Sequence, residues 1–333
     1  MGSLLEGAYQ AVYNCVRLKP NENLVIITDE RTLTIGETIK KVSEKLTSNI
    51  KFFIMEHFGQ RPLKFPVEIG KALNKADVSF YVAQSVKDEL SLFRKPMFEI
   101  IDANKIRHAH MIGINEQIMK EGMCADYKVI KEITKKVYDI VVNCKEIKVT
   151  SPNGTEIVAK FTPKHRWVIC DGHIREGEWS NLPDGEVYTA PETVDGYLVI
   201  DGSLGDFFDD KYGLLDKTPV RLELKNGRVV PGSIKCDNKE LEKEFSEYIL
   251  NSDENSSRIG EFAIGTNIFL DHLIGNLLQD EKFPGVHLAF GSPIPSATKA
   301  NWDSKIHVDG VITKTTVKVD GEEIMKDGKF TIL

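Results

Sequence analysis

The sequence predicts an α/β protein of two parts: an N-terminal Rossmann-like doubly wound domain at residues 1–146, and a mixed, largely antiparallel β domain with helices at 147–333. Three observations predict it. Short β-branched blocks alternate with helical spacing up to about Glu146, which is the grammar of βαβ units. Beyond Glu146 the apolar runs become short and are punctuated by Asn-Gly turns, which is the grammar of hairpins. A chain of 333 residues, 41% hydrophobic and 28% charged, has the composition of a globular protein and the length for two domains.

The elements follow in order. From Leu4 to about Val16 apolar residues recur at three and four, predicting a helix, and Asn23–Asp29 has the β-branched density of a buried parallel strand. Helix Ile35–Leu46, strand Lys51–Glu56, helix Val67–Leu73 and strand Ala76–Gln84 continue the alternation, followed by helix Phe98–Ala103, strand Ala109–Asn115 and helix Tyr127–Asn143. The turn after the first strand runs Thr28–Glu37 without a GxGxxG or GxxxxGK[ST] pattern, so a phosphate-cradling loop is not expected. In the second half Asn153-Gly154 and Asn226-Gly227 each close a hairpin, Asn238–Leu250 has helical character, and Arg258–Gly265, Ile306–Val319 and the segment from Asp327 have β character.

Charge and cysteine content narrow the function. With 43 Lys plus Arg against 50 Asp plus Glu, the formal charge is −7, so there is no basic field for a phosphate backbone and nucleic acid is not an expected partner. The five cysteines are widely spaced with no CxxC pair, which argues against a disulfide framework or a structural zinc knuckle. The opening residues carry Glu6 and lack a basic n-region, and no apolar run approaches the roughly 20 residues a membrane helix needs. A cytoplasmic protein without a membrane partner is the expectation.

Four elements of the C-terminal half could carry metal chemistry. In Ile306–Gly310, His307 and Asp309 are two apart, and on a strand they share a face, so an imidazole and a carboxylate can approach one ion. A Pro-Asp-Gly turn at 183–185 delivers Glu186 to the start of a strand. Glu261 interrupts an apolar strand and is costly to bury without a cation, which a metal or the nearby Arg258 could supply. His287 lies inside the short apolar strand Val286–Gly291. Asp271, His272, Asp280, Glu281, His165 and His173 are surface or supporting groups by default.

The motifs GEVYTAP, IGEFAIG, HLAFG and IHVDG occur here in that order, and together they resemble the thermophilic aminopeptidase family of dinuclear metallopeptidases. The resemblance covers most of the chain, including the opening Tyr13–Glu30. It implies that Glu186, Glu261, His287, His307 and Asp309 are metal ligands for two divalent ions (zinc, cobalt or manganese). It further implies that Glu186 or Glu261 moves protons, that the substrate is a peptide with a free N-terminus cleaved at its first bond by a metal-activated water, and that the chain forms a homodimer. One position departs from the family pattern: Ile294 stands seven residues after His287, where the family has tyrosine.

The same superfamily resembles mononuclear iron enzymes that open dihydroxypyridine rings with oxygen. The alternative function is therefore a non-haem Fe(II) dioxygenase of the 2,5-dihydroxypyridine type, with His287, His307 and Asp309 on one iron and both glutamates outside it. Ile294 and the modest chain length favour that alternative, and retention of both glutamates favours the peptidase. A metal-binding protein without turnover is a third possibility.

Overall fold

The computed structural model describes residues 2–333, which form two compact units. One takes the chain through Lys131 together with Gly172–Asp184, and the other comprises Glu132–Asp171 and Gly185–Leu333. The change of sequence grammar at 146 lies inside the second unit, which begins at Glu132, while Gly172–Asp184 belongs to the first because Trp179–Asn181 pairs with that unit's sheet.

In the first unit the strands Leu24–Thr28, Ile50–Ile54, Val78–Ala83 and Arg107–Ile112 are parallel, with the first lying between the second and third. Leu24–Thr28 and Val78–Ala83 are buried at every position, which accounts for their unbroken apolar runs. Helices Leu33–Ser43, Val67–Leu73 and Lys95–Ala103 connect them, burying Ile39, Ile69 and Ile101. Trp179–Asn181 adds a fifth parallel strand at the edge beside Arg107–Ile112. The predicted first helix is present as an α-helix, Leu4–Tyr9, held by a Ser3/Glu6 capping box, and continues as π-helical Gln10–Cys15.

Where doubly wound folds hold a phosphate after the first strand, this unit has a buried ion-pair network. Asp29 accepts from the backbone N–H groups of Thr32 and Gln84 and pairs with Arg61, which also pairs with Glu89. A carboxylate at that turn repels anions, in line with the absence of a phosphate motif.

The second unit is antiparallel. An eight-stranded sheet contains the hairpin Glu146–Thr150/Glu156–Lys160 and the pair Thr193–Ile200/Val220–Lys225. A five-stranded sheet runs in the order His307–Ile312, Gly285–Gly291, Ile259–Gly265, Glu186–Thr189, Val168–Cys170. One apolar cluster joins them, with Ile147, Val149, Leu198 and Ile200 from the larger sheet and Val187, Phe262, Ile264, Leu288 and Phe290 from the smaller. The helix Lys239–Asn251, capped by the Asn238 side chain, adds Leu241, Phe245 and Ile249 to it. Among the described residues, no helix is long and apolar enough to cross a membrane.

Candidate metal centre

The five-stranded sheet sorts its residues by alternation. Val187, Ile259, Phe262, Ile264, Val286, Leu288, Phe290, Val308 and Ile312 face the apolar cluster. The register places the others opposite one another on the second face: Glu261 beside Ala289 and Asp309, His287 beside Ala263 and Val311, Tyr188 beside Ala263, Glu186 beside Gly265, and His307 beside Gly291. Alanine and glycine at 263, 289, 291 and 265 leave room above the sheet, and the acids and imidazoles fill it.

A β-bulge makes this sorting possible. Ile259 pairs with Phe290 while Glu261 pairs with Ala289, so Gly260 is an extra residue. Without it Ile259 and Glu261, two apart, would share a face; with it Ile259 packs in the core and Glu261 enters the polar face. Only glycine fits there, since a Cβ on residue 260 would lie 2.5 Å from the Gly291 carbonyl oxygen and 2.6 Å from that of Ser292.

The five predicted residues come together. His287 Nε2 lies 3.5 Å from Glu186 Oε2 and 3.4 Å from Glu261 Oε1, and His307 Nε2 lies 3.8 Å from Glu261 Oε2 and 3.4 Å from Asp309 Oδ2. Glu261 thus stands between the two imidazoles with one oxygen toward each. His307 Nδ1 donates to the Ser292 carbonyl at 2.8 Å, which leaves Nε2 turned to the carboxylates. All are buried except His307, whose side chain is 29% exposed and marks the open side of the cluster.

Two further residues belong here. Lys282 is buried, with Nζ 2.6 Å from Glu186 Oε1 and 2.7 Å from Glu281 Oε1. Glu281, expected as a surface or supporting group, lies with His287 and Asp309 in a group of ligand atoms all within 4.8 Å of one another. Sequence reading missed both because they sit in the turn after the short helix Leu277–Asp280, outside any strand alternation; the one available signal was an acid-acid-lysine run placed just before an apolar strand.

The donors suit divalent cations. Glu186 Oε2, His287 Nε2 and Asp309 Oδ1 are buried without a hydrogen-bond partner, an arrangement that costs free energy unless a cation meets them. Glu186, Glu261 and His287 form one group of potential ligands, and Glu261, His307 and Asp309 form a second, with Glu261 common to both. The set of imidazoles and carboxylates without thiolate fits zinc, cobalt or manganese, and equally one ferrous ion.

Electrostatics follow from the packing. Burial pulls the His287 imidazole down, but contact with Glu261 and the charges of Glu186 and Asp309 outweigh it and hold it at about 9. Burial acts likewise on His307, and Asp309 and Glu261 carry it to about 10. Asp309, pushed up by burial, is brought down to about 2 by His307. Burial raises Glu281 to about 8 despite Lys282, and raises Glu261 as well.

Ile294 has φ +52, a left-handed conformation that is unusual for a β-branched residue, and caps the short helix Pro295–Thr298. Arg258 makes no ion pair with Glu261; its guanidinium lies 3.4 Å from the centre of the Trp302 ring. The guanidinium is turned to the indole and not to the carboxylate, so the structural account of Glu261 as half of an Arg-Glu pair fails. Among the other candidates, Asp280 accepts from Ser203 and three backbone N–H groups, His165 contacts the Ala190 carbonyl, and His272 pairs with Asp271.

Comparison with known proteins bears on the family and the fold. The family model described as thermophilic metalloprotease (M29) matches residues 109–332. Wild-type AmpT from Thermus thermophilus superposes with a TM-score of 0.73 at 16% identity, covering 98% of this chain and 98% of that one. A 2,5-dihydroxypyridine dioxygenase from Pseudomonas putida KT2440 superposes with a TM-score of 0.72 at 12% identity, covering 99% of this chain and 97% of that one. Both cover nearly the whole chain, so length does not separate the two readings. No curated protein matches the sequence.

Proposed function

The chain belongs to the thermophilic metalloprotease (M29) family, and from that premise we propose that this metallopeptidase is an aminopeptidase, removing the N-terminal residue of peptides by hydrolysis at a centre of two divalent ions. Glu186, Glu261, His287, His307 and Asp309 would hold the ions, with Glu281 as a sixth candidate. Zinc, cobalt and manganese are the candidate metals.

The observation that carries this reading is the pair of potential ligand groups, Glu186/Glu261/His287 and Glu261/His307/Asp309, that share Glu261. Four carboxylates (Glu186, Glu261, Glu281 and Asp309) face two imidazoles and the single ammonium of Lys282. With the imidazoles neutral and the carboxyls ionised, the states in which they bind a metal, the group has a net charge of −3, so one divalent cation leaves −1 and two leave +1. One ion and two leave the group equally near neutrality, so charge alone allows either count, and the slightly positive site left by two is the one that suits an oxyanion.

Divalent ions bound there supply Lewis-acid stabilisation of a developing oxyanion and a lowered pKa for water. The chain's own residues do the rest. Lys282 occupies Glu186 Oε1, leaving Oε2 directed at His287. Burial raises Glu261 and Glu281, which makes them the carboxyls suited to hold and return a proton, with Glu186 as a further candidate. A carboxylate against the free amine of the substrate would restrict cleavage to the first bond. A homodimer in the cytoplasm completes the proposal.

The dioxygenase remains the second reading because Ile294 replaces the family tyrosine and because the fold is equally close to that enzyme. The test is hydrolysis of leucyl p-nitroanilide by protein loaded with zinc, cobalt or manganese. Release of nitroaniline that is lost in Glu261→Gln supports the peptidase, and oxygen uptake on dihydroxypyridine with iron supports the alternative.

A further inference from the structure

Arg258 is a strongly basic group beside the cluster that the proposed reaction does not use. Its guanidinium makes no hydrogen bond or ion pair among the described residues and lies over the face of Trp302. The indole Nε1 of Trp302 is buried and likewise has no acceptor. Two donors without an acceptor therefore occupy one patch. Arg228, which bridges to Arg258 through the backbone, spends its own donors on the Glu254 carbonyl and on Asn255, and adds positive charge.

The register puts this patch beside the metal-centre residues. The Gly291 N–H donates to the Arg258 carbonyl, so Arg258, Gly291 and His307 form one row across three strands, with no side chain on the middle residue. Trp302 packs against Ala190, the residue that follows Thr189 at the end of the strand carrying Glu186. Adjacent strands are about 4.8 Å apart, so the Arg258 backbone is about 10 Å from that of His307, at its exposed side. A residue adds about 3.8 Å to a peptide, and a stacked guanidinium keeps its N–H edge free for a bidentate carboxylate.

We propose that Arg258, held flat on Trp302, binds the C-terminal carboxylate of a short peptide substrate, so that the enzyme prefers dipeptides to longer or blocked chains. The inference rests on the aminopeptidase reading.

It is tested with metal-loaded wild type, Arg258→Met and Arg258→Lys on Leu-Gly, Leu-Gly-amide and Leu-Glu-amide. In the wild type kcat/KM for Leu-Gly should exceed that for Leu-Gly-amide by about tenfold to a hundredfold, the range of a charge-assisted bidentate contact. Arg258→Met should bring the ratio close to one, mainly through KM, and Arg258→Lys should fall between. Equal wild-type rates on acid and amide overturn the proposal and leave the aminopeptidase reading standing. So does an unchanged ratio in a folded Arg258→Met protein, and a preference for Leu-Glu-amide over Leu-Gly-amide overturns the terminal assignment. Should nothing be hydrolysed, the aminopeptidase reading fails, and calorimetry of the same ligands on the wild type decides: tighter binding of Leu-Gly than of its amide supports the carboxylate site, and equal or absent binding overturns it.

Discussion

Replacing Gly260 by alanine probes the link between sequence and site most sharply. The added methyl would lie 2.5 Å and 2.6 Å from two backbone oxygens, those of Gly291 and Ser292, so no side-chain rotation relieves the clash. Either the strand carrying His287 moves away or the Ser292 carbonyl shifts, and that carbonyl is the acceptor for His307 Nδ1. Overpacking of this kind costs about 1–3 kcal/mol, and displacing the support of a ligand costs about 10- to 100-fold in metal affinity. Thermal unfolding and calorimetric titration with zinc measure the two effects separately. Gly321→Ala is the control: its φ is +93 and nothing lies within 4 Å, so it should cost about 1 kcal/mol of backbone strain with no loss of metal affinity. Gly260→Ala protein that melts lower but binds zinc as tightly as wild type would refute the claim that the bulge aims Glu261. An unchanged melting temperature would refute the steric argument itself.

Other perturbations test separate parts of the account. Lys282→Met removes the ammonium between Glu186 and Glu281 and leaves two buried carboxylates facing each other, so metal-free protein should lose about 3–5 kcal/mol and recover much of it on loading with zinc. An equal loss in both states, read by urea unfolding, would contradict the placement of Lys282 against metal-binding acids. Burial raises Asp209 to about 7, above its unfolded value of about 3.9. The folded state therefore holds that proton more tightly, and the stabilisation present below about pH 4 is lost as pH rises to about 7, by up to about 4 kcal/mol. Asp209→Asn should flatten this decline relative to wild type in urea titrations between pH 4.5 and 8, and parallel slopes would contradict it.

Much of this was legible from residue types and spacing. The parallel strands announced themselves because full burial demands unbroken β-branched runs, as in Leu24–Thr28 and Val78–Ala83. The hairpins at Asn153-Gly154 and Asn226-Gly227 followed from turn chemistry, and both lie in the second unit as expected. His307 and Asp309 share a face because a strand has period two, and the structure places their side chains 3.4 Å apart. What escaped depends on long-range pairing. Trp179–Asn181 joins a sheet formed more than 60 residues earlier, and three residues carry no period of their own. The Gly260 bulge has no signature in a single strand, since its need for glycine comes from carbonyls 31 and 32 positions later. Glu281 and Lys282 were hidden because a turn sets their direction, and Arg258 looked like the partner of Glu261 although its guanidinium is turned to Trp302, 44 residues later.

The central claim is that one face of the five-stranded sheet holds two divalent ions for peptide hydrolysis. Its most direct test is elemental analysis of anaerobically purified protein, wild type and Glu261→Gln, paired with leucyl p-nitroanilide turnover. The account predicts close to two zinc, cobalt or manganese ions per chain in the wild type, nitroaniline release, and loss of both in Glu261→Gln, because Glu261 stands between His287 and His307. One iron per chain that survives Glu261→Gln, with oxygen uptake on dihydroxypyridine and no nitroaniline, would contradict it.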